Sequence, residues 1–151
     1  MGKRRLFLVW LEVREFQMIA SALLCLALNV FWESRSDPVI SQAAVAHVVL
    51  NRVRDPRYPD NACSVITQGK HWKGHPIRNA CQFSWYCNGL SDYPRNRQAF
   101  SWAMHIARLV IDGVIPDPTR GSTHYHAHYV QPEWRTSKAF TGRIGSHLFY
   151  K

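Results

Sequence analysis

Few residues in this chain can do chemistry. Its ten carboxylates are Glu12, Glu15, Glu33, Asp37, Asp55, Asp60, Asp92, Asp112, Asp117 and Glu133. Most of them suit exposed helices, caps or turns: Asp37 precedes Pro38 as a helix N-cap would, and Asp112 stands beside a helix-ending Gly113. Glu33 lacks such a structural reason. It closes an uncharged run that begins at Gln17, within the stretch NVFWESRSDP at 29–38. At a helix C-terminus the carbonyl dipoles disfavour its anion, and Phe31 and Trp32 supply an apolar setting that disfavours it by desolvation. A carboxyl held protonated near neutral pH is what general-acid cleavage of a glycosidic bond requires. A salt bridge to Arg35 or Arg52 would lower its pKa instead, and the residues alone weigh the two readings equally.

His124, His126 and His128 alternate with Thr123, Tyr125, Ala127 and Tyr129. A His-x-His pair on a strand can chelate a metal ion, with Glu133 or His147 as a third ligand. No HExxH-type motif accompanies them, so the preferred reading is that their ring edges line a sugar-binding groove and that the site holds no metal. The segment CQFSWYCNG at 81–89 places Gln82, Phe83, Ser84, Trp85 and Tyr86 in a loop region. Aromatic faces interleaved with amide and hydroxyl groups suit sugar rings, while Phe83 and Trp85 would serve a hydrophobic core equally well.

These side chains need a scaffold. With 151 residues, 46% hydrophobic and 13% aromatic, the chain can bury the core of one domain. A helix is expected from about residue 17 to Glu33, and a second over PVISQAAVAHVVLNRVRD at 38–55, with Val39, Ala43, Ala46, Leu50 and Val53 on one stripe. Residues 55–95 lack periodicity and read as long ordered loops around short helical turns. Helical spacing returns in NRQAFSWAMHIARLVIDG at 96–113, with Phe100, Met104, Ala107 and Ile111 on one face. Strands are expected at 123–129 and within RIGSHLFY at 143–150, so the class is α+β: a helical core with a small antiparallel sheet near the C-terminus.

Nineteen Lys and Arg against ten Asp and Glu give a formal charge of +9, which favours an anionic partner such as nucleic acid, anionic lipid or a polyanionic wall. The basic residues are scattered, with Lys3, Arg4 and Arg5 the only run, so a nucleic-acid-coating tail is not expected. That run precedes LFLVWLEV as a secretory signal would begin, but Glu12, Arg14 and Glu15 interrupt it and no small-residue cleavage site follows; a removable signal peptide is not expected. The uncharged segment FQMIASALLCLALNVFW at 16–32 approaches the length of a membrane span. Ala20, Ser21, Ala22 and Ala27 suit helix packing and Asn29 suits lipid poorly, so a core helix apolar on all sides is preferred to membrane contact or a signal anchor. Of the four cysteines, Cys25 reads as a buried thiol. Cys63, Cys81 and Cys87 can supply one disulfide outside a reducing cytosol, and the 81/87 spacing is not that of a zinc knuckle.

Four blocks in order resemble the SleB-type cell-wall hydrolases, a family that includes spore cortex-lytic enzymes and wall-degrading domains of phage. They are ESRSDP with QAAVAHVVLNRV, then CQFSWYCNG, then GSTHYHAHYVQPEW, then IGSHLFY, and the resemblance runs from about Gln17 to Tyr150. It implies a lysozyme-like fold, a catalytic domain over 17–151 behind an N-terminal extension 1–16, and Glu33 as the catalytic acid. Where members commonly carry Glu-Ala-Arg-Gly-Glu, this chain has Glu33, Ser34, Arg35, Ser36 and Asp37, so a serine replaces the glycine. The implied reaction cuts the β-1,4 bond between N-acetylmuramic acid and N-acetylglucosamine of bacterial peptidoglycan, with no cofactor, in a monomer without specific nucleic-acid binding. Glu33 would protonate the leaving oxygen and then accept the proton of the muramic 6-hydroxyl as that oxygen closes a 1,6-anhydro ring; a hydrolase would usually need a second acid. Gln82, Ser84, Tyr125 and His126 would hold the acetamido groups, with Phe83 and Trp85 against the sugar faces. The implied place of action is the periplasm or cell wall; without an expected signal peptide, a phage endolysin released from the host cytoplasm, a virion-associated enzyme and a signal-anchored bacterial protein all fit. A hydrolytic muramidase, a zinc amidase or peptidase, and a non-catalytic wall- or nucleic-acid-binding module are the alternatives.

Overall fold

The computed structural model describes the backbone of residues 2–151 and the side chains of Glu12, Arg14 and residues 17–151. Helix α1 spans Gly2–Ser34, α2 Val39–Arg54, α3 Ala62–Ile66 and α4 Arg97–Ile111. Strands β1 (Gly69–Trp72) and β2 (His75–Cys81) form a hairpin, and β3 (His124–Ala127), β4 (Phe140–Ile144) and β5 (His147–Tyr150) form an antiparallel sheet in the order β3-β5-β4.

Helix α1 begins well before the expected residue 17, because neither glycine nor proline interrupts residues 3–34. Its C-terminal half enters the core, where Leu26, Ala27, Val30 and Phe31 are wholly buried against α2, α3 and α4. Met18, Ile19 and Leu24 remain exposed. The expectation of a helix buried on all sides is therefore corrected: it holds only from Leu26 onward, where the other helices reach it.

The chain turns through Asp37 N–H donating to the Ser34 carbonyl at 2.9 Å, and the Pro38 carbonyl then accepts from Ser41 and Gln42 to start α2. Asp37 is thus not the side-chain cap expected of it. Its carboxylate instead accepts from Ser146 Oγ at 2.8 Å, tying the start of α2 to the β4–β5 turn. Ser36 does not have positive φ, so the turn does not require the glycine common at that position. In α2 every residue from Ser41 to Val49 is buried, whereas Val39, expected on the buried stripe, lies exposed in the first turn.

Residues 55–95 also differ from expectation. Asn61 caps α3 by accepting from Ser64 N–H at 2.9 Å. The β1–β2 hairpin turns at Lys73 and Gly74, both with positive φ, as a two-residue type I′ connection does. All of β1 and most of β2 are exposed, so no apolar alternation announces either strand. Helix α4 starts where Asn96 accepts from Ala99 N–H at 3.0 Å, and it buries Ala103, Ile106, Ala107 and Val110. Phe100, Met104 and Ile111 pack at the edge of that core, as their spacing predicts.

Two disulfides brace the molecule. Cys25–Cys63 joins α1 to α3 and Cys81–Cys87 joins β2 to the 3-10 turn Ser84–Cys87. Cys25 is therefore not a thiol, because α3 brings Cys63 to within 5.3 Å between Cα atoms.

The sheet docks on α2 through Ala44, Val48 and Phe149, with Tyr125 and Ile144 alongside. Gly145, between β4 and β5, has φ +57° and lies against the Ser41 side chain. Gly145→Ala is expected to destabilise the fold by about 1–3 kcal/mol, from left-handed strain plus that clash. A lowered urea midpoint at unchanged slope would register it.

Candidate active site

Glu33 lies in the last turn of α1, part-buried, and lines a cavity of about 360 Å³ between the helices and the sheet. The cavity is walled by Trp32 and Arg52 from the helices, by Gln82, Phe83 and Ser84 from the loop after β2, and by Tyr125 and His126 from β3. Among the described lining residues Glu33 is the only carboxylate. Tyr125 donates its phenol to Glu33 Oε2 at 2.9 Å. That leaves Oε1 as the carboxyl oxygen without a protein partner among the described residues.

Burial is the largest influence on Glu33 and raises its pKa above the ordinary 4.5; the Tyr125 hydrogen bond and the Arg52 charge lower it only in part. Neither arginine weighed as an ion-pair partner forms a pair within 4.0 Å of it among the described residues. Arg35 lies over the rings of Phe31 and Trp32, at 4.8 and 5.4 Å from their centroids. Arg52 is buried, donates from Nε to the Thr123 carbonyl at 2.7 Å, and packs against Tyr58 and Phe83. Its positive charge acts on Glu33 through space, which favours the carboxylate once a proton has left.

Tyr125 is held by register and packing. It pairs with Phe149 on β5, and its ring contacts Phe149 at 5.7 Å and His147 at 5.0 Å between centroids. Burial and the neighbouring Glu33 push its pKa well above the usual phenol value, so it remains a donor. Tyr125→Phe is expected to reduce turnover about tenfold to a hundredfold, the range for a lost hydrogen bond to a charged group. Glu33 would lose an influence that lowers its pKa, so the alkaline limb of the pH–rate profile would move to higher pH. A limb that stays in place would contradict this role.

The other candidates divide. Gln82, Phe83, Ser84 and His126 line the cavity, although His126 has both ring nitrogens engaged, Nδ1 with the Ala127 carbonyl at 2.8 Å and Nε2 with Tyr150 Oη at 3.0 Å. Trp85 does not line it. Its ring is buried, donates to Asn29 Oδ1 at 3.0 Å and stacks on Trp32, so it supports the wall from the core. Asn29, read in the sequence only as a residue ill suited to lipid, is wholly buried one helical turn before Glu33.

The three strand histidines disperse rather than converge. His124 Nδ1 is 2.9 Å from Thr123 Oγ1 and its pKa falls to about 4, chiefly through burial and then the charges of Arg52, Lys138 and Arg57. His128 Nδ1 faces the Ser146 carbonyl at 3.1 Å. Among the described residues no group of three metal-ligating side chains assembles, so the set needed for the zinc reading is not brought together. His147, offered as a third zinc ligand, lines the cavity with Nδ1 at 3.5 Å from Asp37 Oδ2. Burial lowers its pKa against the opposing influence of Asp37, which favours a neutral ring.

Sequence reading missed Trp32, Arg52, Ala127, Tyr129 and His147 as cavity residues. The alternation that placed Ala127 and Tyr129 on the face of Tyr125 carried part of that signal. Nothing local marks Arg52, whose partners lie far along the chain.

Glu33 is thus a part-buried, singly placed acid at the end of a core helix, facing a small antiparallel sheet. Residues 36–150 match the family described as Cell Wall Hydrolase, and the chain belongs to that family. Glu33 lies just ahead of the matched span. The spore cortex-lytic enzyme of Halalkalibacterium halodurans is 30% identical over 126 residues, covering 82% of this chain and 33% of that protein. The spore cortex-lytic enzyme of Bacillus cereus is 26% identical over 139 residues, covering 91% of this chain and 44% of that protein. The chain thus spans a third to under a half of the length of these curated relatives. Among solved structures, the catalytic domain of the germination-specific lytic transglycosylase SleB from Bacillus anthracis superposes with a TM-score of 0.67 at 26% identity, covering 86% of this chain and 93% of that one. The catalytic domain of the Bacillus cereus SleB protein gives 0.62 at 26% identity, covering 87% and 91%.

Proposed function

We propose that residues 17–151, behind an extension at 1–16, form a peptidoglycan lytic transglycosylase with Glu33 as its acid and base. The observation that carries this reading is the single carboxyl in the cavity, its Oε2 held by Tyr125 and its pKa raised by burial. Protonated Glu33 donates from Oε1 to the glycosidic oxygen as the bond to the muramic anomeric carbon breaks. The resulting carboxylate, favoured by Arg52, then takes the proton of the muramic 6-hydroxyl while that oxygen attacks the anomeric carbon, and the 1,6-anhydro ring closes. Water is not consumed and the acid is regenerated.

Asp37, the nearest second acid in sequence, is bound to Ser146 and faces His147, away from the role of nucleophile or water-activating base. That favours transglycosylation over hydrolysis. Gln82 and Ser84 are the polar wall for acetamido groups, with Phe83 and the edge of His126 beside them.

The domain acts as a monomer on the wall, where two disulfides persist and a charge of +9 draws it to an anionic envelope; a phage endolysin released from the host cytoplasm is the setting that we propose. Purified sacculi incubated with the protein should release disaccharide muropeptides, equally with and without a chelator. Free peptides in place of disaccharides, with loss of activity on chelation, would favour the zinc amidase reading instead.

A further inference from the structure

A second cavity, of about 530 Å³, adjoins the first and shares Trp32 as a wall. Around it stand Arg35, Leu90, Tyr93 and Arg95, and no acid lines it among the described residues. Neither arginine forms an ion pair within 4.0 Å among those residues. Tyr93 and Leu90 are 64% and 75% exposed and so present apolar surface beside Arg35 and Arg95. The loop that carries them is ordered by its own bonds: Trp32 Nε1 donates to the Asp92 carbonyl at 3.1 Å, Leu90 N–H to Asn88 Oδ1 at 2.8 Å, and Tyr93 N–H to Ser91 Oγ at 3.3 Å. The pocket is therefore preformed, and its lining combines apolar and aromatic side chains with two guanidinium groups.

We propose that this cavity is a subsite for the carboxylates of the peptide stem borne by the muramic sugar next to the cleavage point. The inference rests on the peptidoglycan reading above and names a part of the substrate which that reading leaves unplaced. While the lactyl carboxyl of each muramic sugar is amidated by its stem, the glycan itself is uncharged; the stems supply carboxylates joined to short aliphatic side chains. Two guanidinium groups match carboxylates by charge and fork geometry, and the exposed Tyr93 and Leu90 offer apolar surface to the stem. A glycan lying across Trp32 would carry its stem from the Glu33 cavity directly into this one.

The test compares glycan strands bearing stems with the same strands after their stem carboxylates have been converted chemically to amides, at limiting concentration, for the parent, Arg95→Gln and the Arg35→Gln/Arg95→Gln pair. The parent should cut strands with free stem carboxylates about fivefold faster, and the double variant should lose that preference while cutting amidated strands at the parental rate, as exposed charge pairs of modest strength predict. Equal parental rates on both strands, or an equal slowing of both by the variants, would overturn the subsite. Calorimetric titration with a free acidic stem tetrapeptide is the second arm: binding should vanish in the double variant and with the amidated peptide. If the parent cuts neither strand yet binds the tetrapeptide, the glycosidase reading fails and the subsite stands. If inorganic phosphate displaces the tetrapeptide and amidation leaves its binding unchanged, the pocket reads another anion and the proposal falls.

Discussion

Glu33→Gln is expected to reduce muropeptide release by about 10³- to 10⁴-fold, the range attributed to a positioned general acid. The substitution keeps the shape and can still accept from Tyr125, but it removes the only carboxyl proton among the described residues of the cavity. The same variant carries an opposite effect on stability. Glu33 has its folded-state pKa raised above the ordinary 4.5, so the folded protein holds more protons than the unfolded chain between those two values. Stability therefore falls as pH rises from 4.5 through the raised pKa, and above that pKa the folded state bears the full cost of the buried anion. Gln has no such cost. Glu33→Gln should thus melt higher than the parent at pH above the raised pKa, with the gain fading as pH falls toward 4.5. A variant both inactive and less stable would indicate a structural role for the carboxylate.

Removing the Cys25–Cys63 bridge, as Cys25→Ala with Cys63→Ala, is expected to cost about 3–4 kcal/mol. The bridge spans a separation of 38 residues, against 6 for Cys81–Cys87, so it restricts the unfolded chain far more. Loop-closure entropy puts the shorter bridge at about 2 kcal/mol. Cys25 stands one residue before the buried Leu26, at the level where α1 enters the core, so loosening α3 would free that helix beneath the site. Urea unfolding of the double variant and the parent should show the midpoint displaced. Coincident curves would mean that packing alone fixes α3 to α1.

The parts of this architecture that local pattern encodes were legible in the sequence. Helical spacing located α4 and most of α2, and alternation located β3, because apolar residues recur at the period of each element. Elimination singled out Glu33 as an acid without a cap, turn or exposed face to explain it, but left a salt bridge equally open, and only the family resemblance chose between the two. What escaped depends on distant segments meeting. Tyr125 reaches Glu33 across 92 residues, and Ser146 reaches Asp37 across 109, so no window of sequence records either bond. Asp37 beside Pro38 read as a cap because the dipeptide usually is one; the β4–β5 turn claimed its carboxylate instead. The β1–β2 hairpin is exposed on both faces and carries no periodic signal, and only its Lys73–Gly74 turn could have betrayed it. Trp85 read equally well as a sugar platform or a core residue, and its bond to Asn29 settles its place under the cavity wall.

The central claim is that one carboxyl serves both proton transfers and that the muramic 6-hydroxyl, not water, completes the reaction. Digestion of sacculi in heavy-oxygen water, followed by mass spectrometry of the released muropeptides, tests it most directly. The account predicts 1,6-anhydromuramic ends without heavy oxygen, and their loss with Glu33→Gln. Reducing ends carrying one heavy oxygen each would contradict it and make the protein a hydrolase with a water-activating group still to be found.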